Sequence, residues 1–430
     1  MSIINQLPHI LEEARGRNQH IPPGVFHLTE VWGPEENPAH RVFRGDNLSL
    51  MKSMSEDRET AGRVQMIYID PPFFTRSDYD AVVEAGGYRM RHPAYRDTWT
   101  TGLSEYLTRL AQGLLLMRDM LTPDGLLWIH LDWHASHYAR VLMDEIFGAE
   151  NFVNEIIWEY KSGGSTRRRF ARKHDNLMVY SKGKTYKFHP LKEKSYNRGL
   201  KPYRFKGVEE FCDEVGWYTM VNMKDVWQLD MVGRTSSERT GYATQKPEKL
   251  LARILQCCTD PGDLVADLFC GSGTLGAVAA RQGRRSLQCD TQRLAVEISR
   301  ARIQAEEGSV QVYDDGKREE APPSFHASFQ VNEELGLREI VLVEVGGIRA
   351  PEGLDLKSAE KMARAVAEDP LVMITEWSVD PNYDGKVFRP VYVMRQGKEG
   401  LPLRCRLTAA SGHTVIKVVD VMGRAEYFGV

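Results

Sequence analysis

Short apolar runs alternate with helix-period stretches from residue 41 to about residue 306, which predicts an α/β domain with a mainly parallel sheet. Arg41-Val42-Phe43-Arg44 reads as a first strand, stopped by Gly45-Asp46-Asn47. Residues 64–69 form a buried-strand run that ends against Pro71-Pro72. Apolar residues recurring from Tyr106 to Leu121 predict a helix over 104–121, with Ser104 placed as its N-cap. Thr122-Pro123-Asp124-Gly125 then turns into a second buried strand, 126–131, followed by a helix over about 134–147. Strands at 156–158 and 177–180 flank a loop over 161–174. The alternation resumes with a helix over 246–258, a strand over 264–268, a Gly-rich turn and a helix to about Arg281. A strand at 285–289 and a helix over 293–306 complete it.

Three segments depart from this rhythm. Residues 1–40 carry turn signals at Pro22-Pro23-Gly24 and Gly33-Pro34 and read as a polar leader. Over about 184–243 the periodicity fades, and Tyr203, Arg204, Lys206, Trp217, Tyr218 and Lys224 interleave aromatic and basic character, as an insertion would. After an acidic, turn-rich linker at 312–323, residues 324–430 read as a small β-rich domain, with five short strands, one helix over 357–368 and a sandwich as the fitting arrangement. The main α/β domain then covers 41–311.

Composition narrows the function classes. The 430 residues are 42% hydrophobic and 27% charged, with a formal net charge of -3, so any nucleic-acid surface has to be a local patch. The six cysteines form no CxxC pair or Cys/His zinc pattern, which fits reduced thiols. No apolar run reaches membrane-spanning length, and the N-terminus lacks a signal-peptide core, so a soluble, cytoplasmic protein is expected.

Two motifs carry chemistry. In Asp70-Pro71-Pro72-Phe73, a carboxylate and a backbone carbonyl can each accept one N–H of a planar amine, turning its lone pair towards an electrophile. Pro72 removes a competing N–H, leaving the Pro71 carbonyl as second acceptor, and Phe73 can stack on a base. A tight turn capping a buried strand is the bland alternative. In the second motif, Asp267 ends a strand, Phe269 offers a ring, and Gly271 and Gly273 allow close backbone approach before the helix at Thr274. Asp290 closes the next strand, where it can bind ribose hydroxyls. The GxGxxG spacing of a dinucleotide site is missing, which favours S-adenosylmethionine over NAD.

Together with Thr244-Gln245-Lys246-Pro247 and Pro261-Gly262-Asp263, these motifs resemble the β-class DNA amino-methyltransferases, in which the acid-Pro-Pro-aromatic motif precedes the cofactor motif. His174 to Lys182 resembles the strand ahead of that family's target-recognition segment, and the similarity runs from about Arg41 to Ile303. The resemblance, which extends to type III modification subunits and solitary adenine methyltransferases, implies a Rossmann-like fold with permuted motif order. It implies S-adenosylmethionine as cofactor, double-stranded DNA as substrate, and methylation of adenine N6 or cytosine N4. Asp70, Pro71, Pro72 and Phe73 are then catalytic, and Asp46, Thr244, Lys246, Asp267, Phe269, Gly271, Gly273, Thr274 and Asp290 hold the cofactor. Asp at position 70 tilts the expectation to adenine, since cytosine-N4 enzymes often carry Ser there; Phe73 departs mildly from the commoner Tyr.

Methylating a paired base requires extruding it, with the phosphates held meanwhile. The basic loop suits that task through Lys161, Arg167, Arg168, Arg169, Arg172 and Lys173, although such runs are often just solvated. His130, His134 and His137 do not follow a zinc spacing, and no metal is expected. RNA or protein-amide methylation, and an inactive DNA-binding module, are the rival readings. Pairing as a homodimer or docking to a restriction subunit is left open, as is the role of the C-terminal domain. The expected site of action is DNA of the bacterial nucleoid.

Overall fold

The computed structural model describes all residues except 1–2, 35–38, 163–165, 307, 318–321, 335 and 409–411. Its centre is a ten-stranded sheet. From edge to edge the strands are His27–Trp32, Val310–Asp314, His40–Arg44, Arg285–Asp290, Leu264–Asp267, Val64–Ile69, Leu121–Leu131, His174–Ser181, Phe152–Glu159 and Val226–Gln228. The six strands from Val310–Asp314 to Leu121–Leu131 are mutually parallel, and His174–Ser181 runs against both its neighbours. Every residue of Val64–Ile69 is buried, as a central parallel strand covered on both faces requires. This is the Rossmann-like α/β class with added β-rich regions.

Helices Asn47–Glu56, Leu103–Met120 and Ser136–Phe147 pack one face, while Glu248–Cys258, Thr274–Arg281 and Arg293–Ala305 cover the other. Val64–Ile69 therefore passes its chain to one side and Leu264–Asp267, beside it, to the opposite side. Such a divergence opens a crevice at the carboxyl ends of the strands.

Several sequence expectations need correction. The supposed leader is structural: helix Ile3–His20 buries Ile10, Leu11 and Ala14 in the main core, and His27–Trp32 pairs antiparallel with Val310–Asp314. The amphipathic helix was hidden by its polar face and by Pro8. The main sheet consequently extends through Asp314, into the segment read as a linker. Ser104 is not a cap; Gly102 precedes the helix and provides no side-chain bond. Thr122 to Gly125 lies within the strand Leu121–Leu131.

C-terminal residues form two further sheets, His326–Glu334/Leu337–Gly346/Arg404–Thr408 and Tyr392–Arg395/Ile374–Asp380/Val415–Asp420/Ala425–Gly429. Ile340, Leu342, Trp377, Ile416 and Val418 share one core between them. This unit is fastened to the main sheet by buried charge. Lys417, with no exposure, donates to Glu30 at 2.8 Å and to Glu297 at 2.7 Å, and Arg300 joins Glu297 and Glu376 at 3.0 and 2.8 Å. Burial opposes the Glu30 charge, but Lys417 and Arg300 outweigh it and hold the carboxyl at about 2. Lys417→Met leaves two buried carboxylates without this partner, so urea unfolding should show a loss of about 3–5 kcal/mol.

Candidate active site

Parallel pairing sets Val265, Ala266 and Asp267 beside Met66, Ile67 and Tyr68, so Asp70 and the Gly-rich turn, nearly two hundred residues apart, leave the sheet side by side. Between them opens a cavity of about 840 Å³. Asp70, Pro72, Thr244, Lys246, Asp267, Phe269, Gly271, Thr274 and Asp290 line it.

Asp70 is part-buried, and its Oδ2 accepts from Lys246 Nζ. Its other oxygen, Oδ1, is buried and has no hydrogen-bond partner. An unpaired buried carboxylate oxygen is costly, and such an orphan at the wall of a cavity marks a place for an incoming donor. The turn that presents it is held from behind. Tyr106 Oη donates to the Pro72 carbonyl at 2.9 Å, and the fully buried Asp97 accepts the N–H groups of Phe74 and Thr75 at 3.0 and 2.7 Å. Phe74 sits at φ 64°, which those bonds offset. Pro71 is buried in the same turn. Phe73 lies off the cavity lining, with its ring 5.9 Å from that of His130 and 5.5 Å from Lys246 Nζ.

Across the cavity, Asp267 Oδ1 accepts from the Phe269 N–H at 3.1 Å, and Asp290 accepts from the N–H groups of Gly271 and Gln292 at 3.0 and 2.8 Å. Burial pushes the Asp267 carboxyl up to about 8, helped by the charges of Asp70 and Asp290, and pushes Asp290 up to about 6. Gly271 has φ 48°, and a Cβ there would come within 3.1 Å of the Tyr242 ring. Gly273 is behind the cavity: its added Cβ would lie 2.6 Å from Ser299 Cα, so this glycine seats one helix against the next. Thr244, at φ 54°, places Oγ1 3.3 Å from Tyr95 Oη, and Thr274 Oγ1 donates to the Lys246 carbonyl at 3.2 Å.

Asp46 has a different placement from the other expected cofactor residues. It caps helix Asn47–Glu56 by accepting from the Ser49 N–H at 2.9 Å, and it pairs with Arg109 at 2.9 Å, while its neighbours Gly45 and Asn47 reach the cavity. The basic loop also lies apart from the lining. Lys161, Arg167, Arg168 and Arg169 are exposed; Arg172 stacks 3.4 Å from the Trp133 ring, and Lys173 donates to the Ser162 carbonyl at 2.6 Å. His130 links Tyr68 Oη at 2.8 Å to Asp175 at 3.1 Å, and His134 bonds Asp132 at 2.6 Å. Among the described residues no His/Cys/Asp/Glu group suits a metal.

One whole wall escaped sequence reasoning. The hairpin Asp78–Ala85/Tyr88–Arg96 brings Tyr79, Pro93, Ala94, Tyr95 and Arg96 to the cavity, with Trp99 and Arg109 beside it and Tyr242 clustered with the hairpin's Ala81 and Ala94. Its signal was present in the Gly86-Gly87 turn between two strand-like runs.

The sequence model of the DNA methylase family, N6_N4_Mtase, matches residues 64–301, more than half of the chain. The chain belongs to that family. It is 28% identical over 306 residues to the type II methyltransferase M.EcaI of Enterobacter cloacae, covering 57% of this chain and 65% of that protein, just under two thirds. To the type II methyltransferase M2.DpnII of Streptococcus pneumoniae it is 27% identical over 265 residues, 60% of this chain and 86% of that one. Among solved structures, the cytosine-N4-specific PvuII DNA methyltransferase aligns with a TM-score of 0.42 and 15% identity, over 65% of this chain and 98% of that one. No helix among the described residues is long and apolar enough to cross a membrane.

The methyl donor of this family is S-adenosylmethionine. The cavity fits it: five acidic side chains (Asp70, Asp78, Asp80, Asp267, Asp290), of which burial keeps Asp267 largely protonated near neutral pH, face three cations (Arg96, Arg109, Lys246). A lining without an excess of positive charge suits a ligand bearing a sulfonium and an ammonium and is a poor match for a pyrophosphate. Hydroxyl donors and positive charge both favour the ionised form of Asp290. S-adenosylmethionine affinity should therefore fall as pH drops below about 6, by up to about tenfold per unit for one linked proton. Calorimetry in two buffers of different ionisation enthalpy should record proton release near that pH; an affinity flat from about pH 5 to about pH 8 would contradict the linkage.

Proposed function

We propose that this chain methylates an exocyclic base amine in duplex DNA, and adenine N6 in preference to cytosine N4. The observation that carries this reading is the buried, unpartnered Oδ1 of Asp70 at the cavity wall. S-adenosylmethionine, when bound, supplies an electrophilic methyl group. Asp70 Oδ1 accepts one N–H of the extruded amine and the Pro71 carbonyl accepts the other, which localises the nitrogen lone pair and stabilises the cation formed as the bond is made. Phe73 stacks on the base, while Lys246 holds Asp70 through Oδ2 and leaves Oδ1 to the incoming amine. Asp290 holds ribose hydroxyls, and Asp267 with Lys246 faces the methionine end.

The exposed Lys161, Arg167, Arg168 and Arg169 give a locally cationic surface for phosphates in a chain of net charge -3. The region at 184–243 is the proposed sequence reader. It contains a separate three-stranded sheet, Phe211–Cys212/Trp217–Asn222/Lys192–Tyr196, with Tyr196, Tyr203, Phe205 and Phe211 exposed. An aspartate at position 70, where cytosine-N4 enzymes often have serine, favours adenine.

The test is transfer from labelled S-adenosylmethionine to mixed-sequence duplex DNA, read by nucleoside mass spectrometry. N6-methyladenine is expected, with kcat reduced by at least about 10²–10³-fold in Asp70→Asn. N4-methylcytosine would correct the base and keep the reaction. No product on DNA despite measured cofactor binding would sink the assignment.

A further inference from the structure

We propose that Phe170 is a wedge that enters the duplex base stack and fills the gap left by the extruded base, an inference that rests on the DNA-methylation reading above. Phe170 is 98% exposed, the highest value among the exposed large hydrophobic side chains of the described residues, and it makes no ring contact with any of them. A phenyl group left in water forgoes its burial free energy, which insertion between stacked bases would recover.

Its surroundings specify the partner's chemistry. Arg167, Arg168 and Arg169 immediately precede it and are exposed. Arg172, two residues on, lies 3.4 Å over the Trp133 ring, and Lys173 donates to the Ser162 carbonyl and hydroxyl at 2.6 and 2.8 Å. The loop is thus tethered just after Phe170, while the phenyl itself projects. An apolar protein surface would have to desolvate three guanidinium groups to reach that ring. A stack of flat apolar faces between two rows of phosphates satisfies ring and cations together.

Position agrees. Glu159 pairs with His174 at the base of the loop, Leu131 pairs with Asn176, and Ile129 pairs with Ile69, one residue before Asp70. The base of the loop therefore stands two strands from the catalytic acid, about 10 Å across the sheet, at the same end. A base drawn towards Asp70 leaves its vacancy within reach of a loop so placed, and a phenyl there replaces the lost stacking on either side.

The sequence modified by the wild-type protein is first mapped on plasmid DNA. Two oligonucleotide duplexes carrying it are then compared, one fully paired and one with an abasic site opposite the target base, which removes the pairing that resists extrusion. Phe170→Ala should lose about tenfold in kcat/KM on the paired duplex, roughly the worth of one stacking contact, and recover to within about twofold of wild type on the abasic one. Phe170→Trp should keep activity on both. An equal loss on the two duplexes, or no loss on either, overturns the wedge. Wild-type protein inactive on both overturns the methylation reading itself, and the wedge with it.

Discussion

The pairing of Leu264–Asp267 with Val64–Ile69 is the contact on which the active site depends. Neither motif is a site alone. Asp70 has an acceptor oxygen but no methyl donor beside it, and the Gly271 turn can seat a nucleoside but offers nothing to a base amine. Three register pairs between buried residues of the two parallel strands put the two at adjacent carboxyl ends. Because the two strands send their chains to opposite faces, a crevice follows from topology. The order of the motifs along the chain is then immaterial to the chemistry, since only the spatial adjacency of the strands matters.

What the sequence made legible follows from the same geometry. Asp70 to Phe73 and Asp267 to Thr274 are punctuation marks, prolines and glycines at strand ends, and such marks survive without knowledge of tertiary contacts. Elements whose identity depends on what they pack against were harder to see. Helix Ile3–His20 buries a narrow stripe at Ile10, Leu11 and Ala14 and is otherwise polar, so it resembled a leader. Hairpin Asp78–Arg96 lies outside the main sheet, and its inward side chains face the cavity and a neighbouring helix, so its alternation is irregular. Asp46 shows a different limit: an aspartate after a strand serves equally as ligand or helix cap, and only the Ser49 N–H and Arg109 reveal the cap.

The same hairpin gives the C-terminal region a connection to the site. Met90 and Ala85 pack with Met362, Ala365 and Met373, and the Arg91 N–H donates to Ser358 Oγ at 2.9 Å. Further along the same face, the hairpin meets Tyr242, whose ring crowds Gly271. A wall of the cavity is therefore braced by helix Leu356–Glu368, outside the stretch matched by the family model. The Lys417, Glu30 and Glu297 cluster fixes that brace to the sheet. Buried ion pairs are a costly fastening, since each charge must be fully compensated, but they tolerate few alternative arrangements.

The most direct measurement is a crystal structure of the protein with cognate duplex DNA and a non-reactive analogue of S-adenosylmethionine. An adenine out of the helix, with N6 within hydrogen-bond distance of Asp70 Oδ1 and of the Pro71 carbonyl, is the predicted result. A target base that stays stacked, or an extruded one whose amine lies away from Asp70, would contradict the role given to that carboxylate.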